Sequence, residues 1–316
     1  MRVAILGNYP AESFRSQADG ERLPPNTSHL KANLAKGLVR PGLEVHVLAL
    51  APGLRQTLVA KDDGVTVHWL ALPHQARVAS CFQWPRLIVQ NTLRRIQPDL
   101  VHGVGTEHEY PYLAQVSGYP YLIGVHVLVR DVMARIRQSR KRRLRLHLFK
   151  HLESRVLEQA PFVTVTTPFL AEAIGTGGRR RVFVIPNAVH PRFQQMAVQQ
   201  KPDTPCRFLF AGRISPEKNI EALLTAFIRL HASRPDIRLD LVGGIEDRGY
   251  YDMLMKFINT SHAASAVVFH GQQSSGRLVQ FMRQAHVLVL PSRYEAFGLV
   301  LAEAMSMGLP VIASRI

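Results

Sequence analysis

Short apolar segments alternate with amphipathic helical patterns from one end of this sequence to the other. The segment "RVAILG" precedes the helical pattern "SHLKANLAKGLV", and "EVHVLAL" follows it. The same order continues through "VTVHWLAL", "PRLIVQNTLRRI", "DLVHGV" and "YLIGVHV". Strands that alternate with helices predict parallel strands joined by crossover helices, so we expect a doubly wound α/β sheet.

The alternation stops once and then starts again, which predicts two domains. Residues 193–205 contain several Gln and Pro residues and show no apolar periodicity, so we interpret them as a linker. The rhythm resumes with "CRFLFAGR" and runs to the last residue. A chain of 316 residues of which 47% are hydrophobic can supply two cores. We therefore predict Rossmann-like domains at 1–192 and 206–316, with ligands at the carboxyl ends of their strands.

Several classes of protein do not fit the sequence. The longest apolar runs, at 45–51 and 287–291, are far shorter than the roughly 20 residues of a spanning helix. The N-terminus lacks the apolar stretch of a signal peptide. Cys81 and Cys206 form neither a disulfide framework nor a zinc pattern, so we expect a cytoplasmic protein.

The segment "FAGRISPEKN" at 210–219 leaves a strand and enters a helix. Arg213 and Lys218 flank that helix start, where free N–H groups and the helix dipole already favour an anion. With Gly212 allowing close approach, the two cations predict a site for a diphosphate. The alternative is that both are ordinary surface cations of a loop.

The segment "PSRYEAFGLVLAEAMSMGLPVIAS" at 291–314 places two carboxylates eight residues apart. Glu295 is expected in the loop after a strand, and Glu303 in the second turn of the next helix. Carboxylates are strong acceptors for sugar or ribose hydroxyls. The turn between them contributes backbone N–H groups to a ligand; its residues are Ala296, Phe297, Gly298 and Leu299. An exposed helical position for Glu303 is the alternative, although its neighbours are apolar.

These segments, together with "LVGG" and "VVFHGQQ", resemble the donor-binding domain of the family-4 retaining glycosyltransferases, also described as glycosyl transferases group 1. The resemblance extends into the first domain through "PDLVHG", "YLIGVHV", "ESRVLEQAPFVTVTT" and "VIPNAV". It implies the GT-B fold, in which two Rossmann-like domains flank a cleft.

The resemblance also implies roles for individual residues. Glu295 would bind hydroxyls of the donor sugar, and Glu303 would bind the ribose of the nucleotide. Arg213 and Lys218 would hold the diphosphate leaving group. His126, at the end of "YLIGVH", matches the first-domain histidine that faces the donor sugar, although a lone histidine after a strand is more often structural.

The implied activity is retaining transfer of a hexose from a nucleotide-diphosphate sugar to a glycan or lipid-linked acceptor, in cell-envelope polysaccharide or glycolipid synthesis. The chain contains no Asp-x-Asp sequence, and the Arg/Lys pair can neutralise the leaving group. We therefore expect metal-independent catalysis without a cofactor.

Two departures from the family pattern bear on the predicted site and on the predicted second domain. Asn26 and Thr27 stand where a Gly-Gly pair usually contacts phosphate or acceptor, so their part in an acceptor or phosphate loop is the weaker prediction. Family members also continue well beyond the position of Ile316. We therefore expect a second domain that is incomplete, with exposed apolar surface, and a catalytically silent nucleotide-sugar-binding fragment is the alternative function.

The formal net charge of +16 is concentrated in one place. Between Arg135 and Lys150 the chain has eight basic residues and no acidic one. A basic amphipathic helix here could lie on an anionic membrane surface. A solvated helix face is an equally good interpretation, and nucleic-acid binding is weaker because aromatic residues are not interleaved. A NAD-dependent oxidoreductase ranks last among the functions, because the first turn lacks G-x-G-x-x-G.

Overall fold

A computed structural model describes residues 1–10, 30–73, 80–135, 140–175, 177, 180–194 and 205–316. At Leu30, Arg135 and residues 140–143 only the backbone is described. These residues form two compact units, Met1–Ala188 and Val189–Ile316. The division after Ala188 falls four residues before the predicted end of the first domain at 192. Phe193 explains the difference, because its buried side chain belongs to the core of the second unit.

The first unit is built on an eight-stranded sheet in the order β3-β4-β2-β1-β5-β6-β7-β8. All neighbouring pairs are parallel except β3 with β4. The strands are β1 (Arg2–Leu6), β2 (Glu44–Pro52), β3 (Leu58–Asp62), β4 (Val65–Leu72), β5 (Leu100–Val104), β6 (Tyr121–Val125), β7 (Phe162–Val165) and β8 (Arg181–Val184). The central strands are almost continuously buried, as parallel strands covered on both faces must be.

Six helices of the described residues belong to this unit. They are α1 (Leu30–Gly37), α2 (Gln83–Ile96), α3 (Tyr110–Gln115), α4 (Val129–Arg135), α5 (Arg140–Gln159) and α6 (Pro168–Ile174). Local sequence sets their ends: α6 begins with Pro168, and the Thr167 hydroxyl accepts a hydrogen bond from the Leu170 N–H at 3.3 Å.

The sequence patterns did not predict the antiparallel edge strand β3 or the short helix α3. The basic segment also differs from the expectation, because it forms two helices, α4 and α5. The apolar face of α5 packs into the first unit through Leu146, Phe149 and Val156. Leu144, an apolar residue of the same helix, is 75% exposed.

The second unit has a five-stranded, all-parallel sheet in the order β11-β10-β9-β12-β13. The strands are β9 (Cys206–Ala211), β10 (Ile237–Val242), β11 (Val267–Gly271), β12 (Val287–Leu290) and β13 (Val311–Ala313). The helices are α7 (Ile220–Ser233), α8 (Arg248–Asn259), α9 (Ser275–Gln284) and α10 (Leu299–Ser306). Apolar surface remains exposed, including Met305 on α10 and Ile312 on the edge strand β13.

The strand order decides where ligands can bind in each sheet. In the second sheet the chain runs outward in one direction from β9 to β11 and then returns to the other side of β9 at β12. The first sheet reverses in the same way between β1 and β5. Ligands of open α/β sheets bind in the crevice at such a switch point, outside the carboxyl ends of the strands.

No helix in the described part of the chain is both long and apolar enough to cross a membrane.

Candidate functional site

The predicted diphosphate-binding and sugar-binding segments meet at the switch point of the second sheet. Lys218 ends a one-turn 3-10 helix, Pro216–Lys218, in the connection that follows β9. Glu295 lies in the loop that follows β12. The Lys218 ammonium donates a hydrogen bond to Glu295 Oε1. Their side chains are only 14% and 20% exposed, so much of this ion pair is shielded from water.

Ser292 fixes the Glu295 carboxylate from a second side. Its hydroxyl donates to the same oxygen, Glu295 Oε1, at 2.8 Å. One carboxylate oxygen therefore accepts two hydrogen bonds, and its conformation is set before any ligand arrives. Such preorganised groups cost no rearrangement when a substrate binds.

Arg213 lies in the same connection after β9 but is bound differently. Its guanidinium is 61% exposed and pairs with Glu246 Oε1 at 2.8 Å, in the loop after β10. Both cations of the predicted pair thus lie near the switch point, and only Lys218 contacts Glu295. Arg213 would have to exchange Glu246 for a phosphate, or share it.

Gly212 and Gly243 bring the loop after β9 and the loop after β10 into close contact, next to Arg213 in the sequence. A Cβ atom at Gly243 would lie 1.7 Å from the Gly212 carbonyl oxygen. The Gly212 N–H donates to the Val242 carbonyl at 2.9 Å. The backbone of "FAGR" can therefore approach "LVGG" only because position 243 carries no side chain.

The start of α10 is turned toward Glu295. Gly298 is its N-cap, with a left-handed φ of 71°, a conformation that favours glycine. A Cβ atom at Gly298 would lie 3.9 Å from Glu295 Cγ, so the carboxylate side chain runs beside the helix start. The first N–H groups of a helix have no intrahelical partners, which fits the predicted backbone donors at Phe297, Gly298 and Leu299, with Ala296 preceding them.

Glu303 is half-buried in the second turn of α10. Burial raises the pKa of its carboxyl to about 7, while the positive charge of Arg192 acts in the opposite direction. The alternative of an ordinary exposed helical glutamate is therefore wrong. In its ionised form this half-buried carboxylate can accept hydrogen bonds from hydroxyl groups of a ligand.

A second set of contacts, which no sequence pattern predicted, joins the loop after β12 to the turn after β9. The Arg293 N–H donates to the Glu217 carbonyl at 2.8 Å, and Arg293 Nη1 donates to the Pro216 carbonyl at 3.1 Å. Arg293 Nη2 donates to Glu221 Oε1 at 2.6 Å, and the Tyr250 hydroxyl donates to the other oxygen of Glu221. This network fixes the turn that carries Lys218. Arg293 lies within the segment 291–314, but its side-chain partners are 72 and 77 residues away, so no local pattern indicated them.

His126 belongs to the first unit, where it follows β6. Burial lowers the pKa of its imidazole to about 4, with Glu107 and Lys31 acting in opposite directions. It is therefore neutral near pH 7. Asn26 and Thr27 lie outside the described residues.

No group of three or more His, Cys, Asp or Glu side chains within the described ranges is placed to hold a metal ion.

Two protein-family models match the chain. The model described as Glycosyl transferase 4-like domain matches residues 31–188. The model described as Glycosyl transferases group 1 matches residues 191–316. The two matches correspond to the two structural units.

Comparison with curated proteins gives relatives of the same kind. An uncharacterized glycosyltransferase of Bacillus subtilis, YqgM, is 26% identical over 221 residues, or 69% of this chain and 58% of that protein. A D-inositol 3-phosphate glycosyltransferase of an Arthrobacter species is 27% identical over 312 residues, or 90% of this chain and 72% of that protein. The chain thus spans 58% of the first of these relatives and 72% of the second.

Solved structures share the fold. Sucrose-phosphate synthase from Thermosynechococcus elongatus aligns with a TM-score of 0.73 and 20% identity, covering 100% of this chain and 82% of that one. HepE from Anabaena, solved in complex with UDP and glucose, aligns with a TM-score of 0.68 and 16% identity, covering 100% and 81%.

Proposed function

This chain belongs to the group 1 glycosyltransferases with the GT-B fold, and on that premise we propose that it is a retaining hexosyltransferase. The donor is a nucleotide-diphosphate sugar, and the acceptor is a glycan or a lipid-linked glycan. The contact between Lys218 and Glu295 carries the proposal. The cation and the carboxylate lie side by side at a switch point, where ligands of such sheets bind. In a nucleotide-diphosphate sugar the phosphate likewise adjoins the sugar, so Lys218 can meet the phosphate while Glu295 meets the sugar.

Each side chain of the site has a part in this proposal. Lys218 and Arg213 neutralise the diphosphate. Glu295 accepts hydrogen bonds from the transferred sugar, and Glu303 accepts them from the ribose. The HepE structure, which holds UDP and glucose on the same fold, supports a nucleotide sugar as the donor.

In the proposed reaction, the bond between the anomeric carbon and the β-phosphate oxygen breaks, and its electron pair stays with the phosphate. The acceptor oxygen attacks the same face of the sugar, and its proton goes to the departing phosphate oxygen. The sugar passes through an oxocarbenium-like state while negative charge grows on the phosphate. A cation fixed next to that phosphate stabilises the charge where it develops, so neither carboxylate has to act as a nucleophile.

Metal-independent catalysis is part of the proposal. Its support is the pair of cations at the switch point and the absence of an Asp-x-Asp sequence from the chain. Turnover in the presence of a chelator tests it, and loss of turnover that added Mg²⁺ restores would contradict it.

We also propose a cytoplasmic enzyme of cell-envelope synthesis that meets anionic membrane lipids through the segment from Arg135 to Lys150. Arg145 and Lys150 are on the exposed side of α5, and Leu144 is exposed beside them. The buried Leu146 and Phe149 are occupied by the core, so this contact would be mainly electrostatic. Flotation with vesicles of anionic lipid should show binding that salt weakens. Equal flotation with neutral vesicles would contradict it.

The test of the main proposal is a thermal-unfolding screen with UDP-, GDP- and ADP-sugars, followed by donor hydrolysis and transfer assays. A bound donor at 100 times its dissociation constant stabilises the fold by about 2.7 kcal/mol. Stabilisation with turnover supports the transferase. Stabilisation without turnover by any donor supports the alternative, a catalytically silent nucleotide-sugar-binding fragment. No stabilisation by any nucleotide sugar refutes both.

A further inference from the structure

An exposed ion pair joins the loop after β9 to the loop after β10 at the switch point of the second sheet. Arg213 Nη1 donates to Glu246 Oε1 at 2.8 Å, and the two side chains are 61% and 29% exposed. By contrast, the pair of Lys218 with Glu295 is largely shielded from water. The two cations of the candidate site are therefore held differently, and the contact of Arg213 is the one that a ligand from solution can reach and replace.

The backbone keeps Glu246 within reach of Arg213. Ile214, which follows Arg213, forms a parallel β-bridge with Ile245, which precedes Glu246. The Ile214 N–H donates to the Gly244 carbonyl at 2.9 Å, and the Glu246 N–H donates to the Ile214 carbonyl at 3.2 Å. The Ile214 side chain is buried in the core of the second unit. The ion pair can therefore open through its side chains while both backbones stay in place.

Helix α8 fixes the other side of Glu246. Asp247, the next residue, is the N-cap of α8, and its carboxylate accepts a hydrogen bond from the Tyr250 N–H at 2.9 Å. The Tyr250 hydroxyl in turn donates to Glu221 in the first turn of α7. Glu246 thus lies between a β-bridge and a capped helix. An anion tethered in this way competes with a free ligand at a high effective concentration.

The Glu246 carboxylate offers Arg213 the same kind of contact as a phosphate oxygen. Arginine binds both anions through charge-assisted N–H···O hydrogen bonds. An exposed pair of this kind shifts an equilibrium by about five-fold or less, so a diphosphate with more charge and more acceptor oxygens can displace it. The displaced carboxylate stays nearby and repels the diphosphate. Glu246 therefore opposes the binding of a diphosphate both by competition and by repulsion.

The product of the proposed reaction gives this opposition a purpose. Once the sugar has left, the β-phosphate is no longer esterified to it and carries about 0.5–1 additional negative charge near neutral pH. A nucleoside diphosphate is therefore attracted to the two cations more strongly than the donor is. Slow release of such a product would limit kcat.

We propose that Glu246 is an internal competitor of the diphosphate: its carboxylate holds Arg213 in the free protein, yields it when the donor binds and takes it back when the nucleoside diphosphate leaves. Glu246 thereby limits the affinity of the site for pyrophosphate anions and speeds the release of product. The inference rests on the proposed function, since it assigns a further residue to the same donor site. The opposite role, in which Glu246 orients Arg213 toward the ligand, would require Glu246 to raise that affinity.

The experiment measures the binding of UDP, GDP, ADP and inorganic pyrophosphate to the whole chain by isothermal calorimetry. Glu246→Gln removes the charge and keeps the shape of the side chain. Asp252→Asn is the matched control, because it removes the carboxylate of another exposed pair in the second unit, with Arg248 at 3.1 Å. We expect Glu246→Gln to bind these ligands about three- to ten-fold more tightly than the natural chain, and the control to bind them equally.

A double-mutant cycle separates exchange of Arg213 from repulsion alone. In Arg213→Gln there is no guanidinium to exchange, so adding Glu246→Gln should change the affinity by about two-fold or less. The full gain in that background would show that Glu246 acts by repulsion only, and would overturn the exchange. Stopped-flow displacement of the bound nucleoside diphosphate should show release slowed about three-fold or more in Glu246→Gln.

The same measurements separate this inference from the proposed function. If nucleotide sugars bind the natural chain and Glu246→Gln leaves the diphosphate affinity unchanged or weaker, the competitor is refuted and the transferase proposal stands. If pyrophosphate binds Glu246→Gln more tightly but no nucleotide sugar binds any variant, the competition stands and the transferase proposal fails. Absence of binding by every ligand, to the natural chain and to Glu246→Gln, refutes both. A lower melting temperature of Glu246→Gln with unchanged affinity would show that the pair only supports the fold.

Discussion

Arg293 Nη2 donates to Glu221 Oε1 at 2.6 Å and thereby joins the loop after β12 to the first turn of α7. The Arg293 backbone N–H and Nη1 bind carbonyls of the turn that carries Lys218. Arg293 contacts neither Lys218 nor Glu295 directly in these hydrogen bonds, so we regard it as a positioning residue. Arg293 fixes the loop after β12 relative to the turn after β9. That relative position determines the contact between Lys218 and Glu295.

Replacing Arg293 by alanine should therefore impair the site more than the fold. The variant loses hydrogen bonds from a side chain that is 58% exposed, so we expect a small loss of stability, about 1 kcal/mol. Donor-hydrolysis kcat should fall about ten-fold or more, because small displacements of catalytic groups are costly. Arg248→Ala, which breaks an exposed pair with Asp252 at 3.1 Å, is the control and should change neither quantity appreciably. Unchanged kcat in Arg293→Ala would argue against the positioning role.

Replacing Lys218 by methionine tests the proposed leaving-group cation. Removing one group that stabilises developing charge typically costs about 100–1,000-fold in kcat, or about 2.7–4 kcal/mol. Steady-state donor hydrolysis and transfer should both show this loss, with nucleotide-sugar binding weakened less. Lys256→Met, on the exposed face of α8, is the matched control. A rise in KM with an unchanged kcat would instead show that Lys218 contributes only to ground-state binding of the donor.

The order of strands and helices could be predicted well from the sequence because most elements have strong local patterns. The strand β4 (Val65–Leu72) has the predicted limits. The edge strand β3 was not predicted, because apolar and polar residues alternate only weakly in "LVAKD". This segment is identified as a strand only by its antiparallel pairing with β4. Helix α5 shows a different limit. Leu144 and Leu146 are both apolar, and only packing with Phe82 and Val129, which lie outside the helix, determines which face is buried.

For the candidate site, too, the individual motifs could be predicted from the sequence, but the contacts between them could not. Glu295 and Lys218 were found as separate motifs, since each follows a predicted strand. Their contact depends on β12 lying next to β9, a choice that tertiary packing makes. The contacts of Arg293 could not be predicted either, because its side-chain partners lie 72 and 77 residues away in sequence.

Gly243→Ala should destabilise the second unit strongly. The new methyl group would lie 1.7 Å from the Gly212 carbonyl oxygen, so one of two backbone segments must move. We expect a loss of several kcal/mol, at the upper end of single substitutions, about 3–5 kcal/mol. Chemical denaturation measures it. Gly276→Ala, in α9 with nothing within 4 Å, should instead gain about 0.5–1 kcal/mol from helix propensity. Equal stabilities of the two variants would contradict the close approach seen here.

Glu303 should make stability depend on pH. Its folded-state pKa of about 7 lies above the ordinary value of 4.5. Below pH 4.5 the carboxyl is protonated in both states and costs nothing. As pH rises from 4.5 to 7 the unfolded state loses the proton first, so stability falls, and above pH 7 the full cost of about 1–3 kcal/mol is present. Glu303→Gln should therefore be more stable than the natural chain at pH 8 and equal to it at pH 4.5.

Nucleotide-sugar affinity should show the opposite dependence if Glu303 binds the ribose. An ionised carboxylate accepts hydroxyl hydrogen bonds more strongly than a protonated one, so affinity should rise as pH passes through about 7. The diphosphate of a nucleotide sugar is esterified at both ends and does not titrate there, so isothermal calorimetry with the intact donor isolates the contribution of the protein. Glu303→Gln should flatten the profile and weaken binding at pH 8. The same variant would then bind more weakly while unfolding less readily, a combination that a purely structural glutamate does not produce. A profile that keeps its slope in Glu303→Gln would assign the titration to another group.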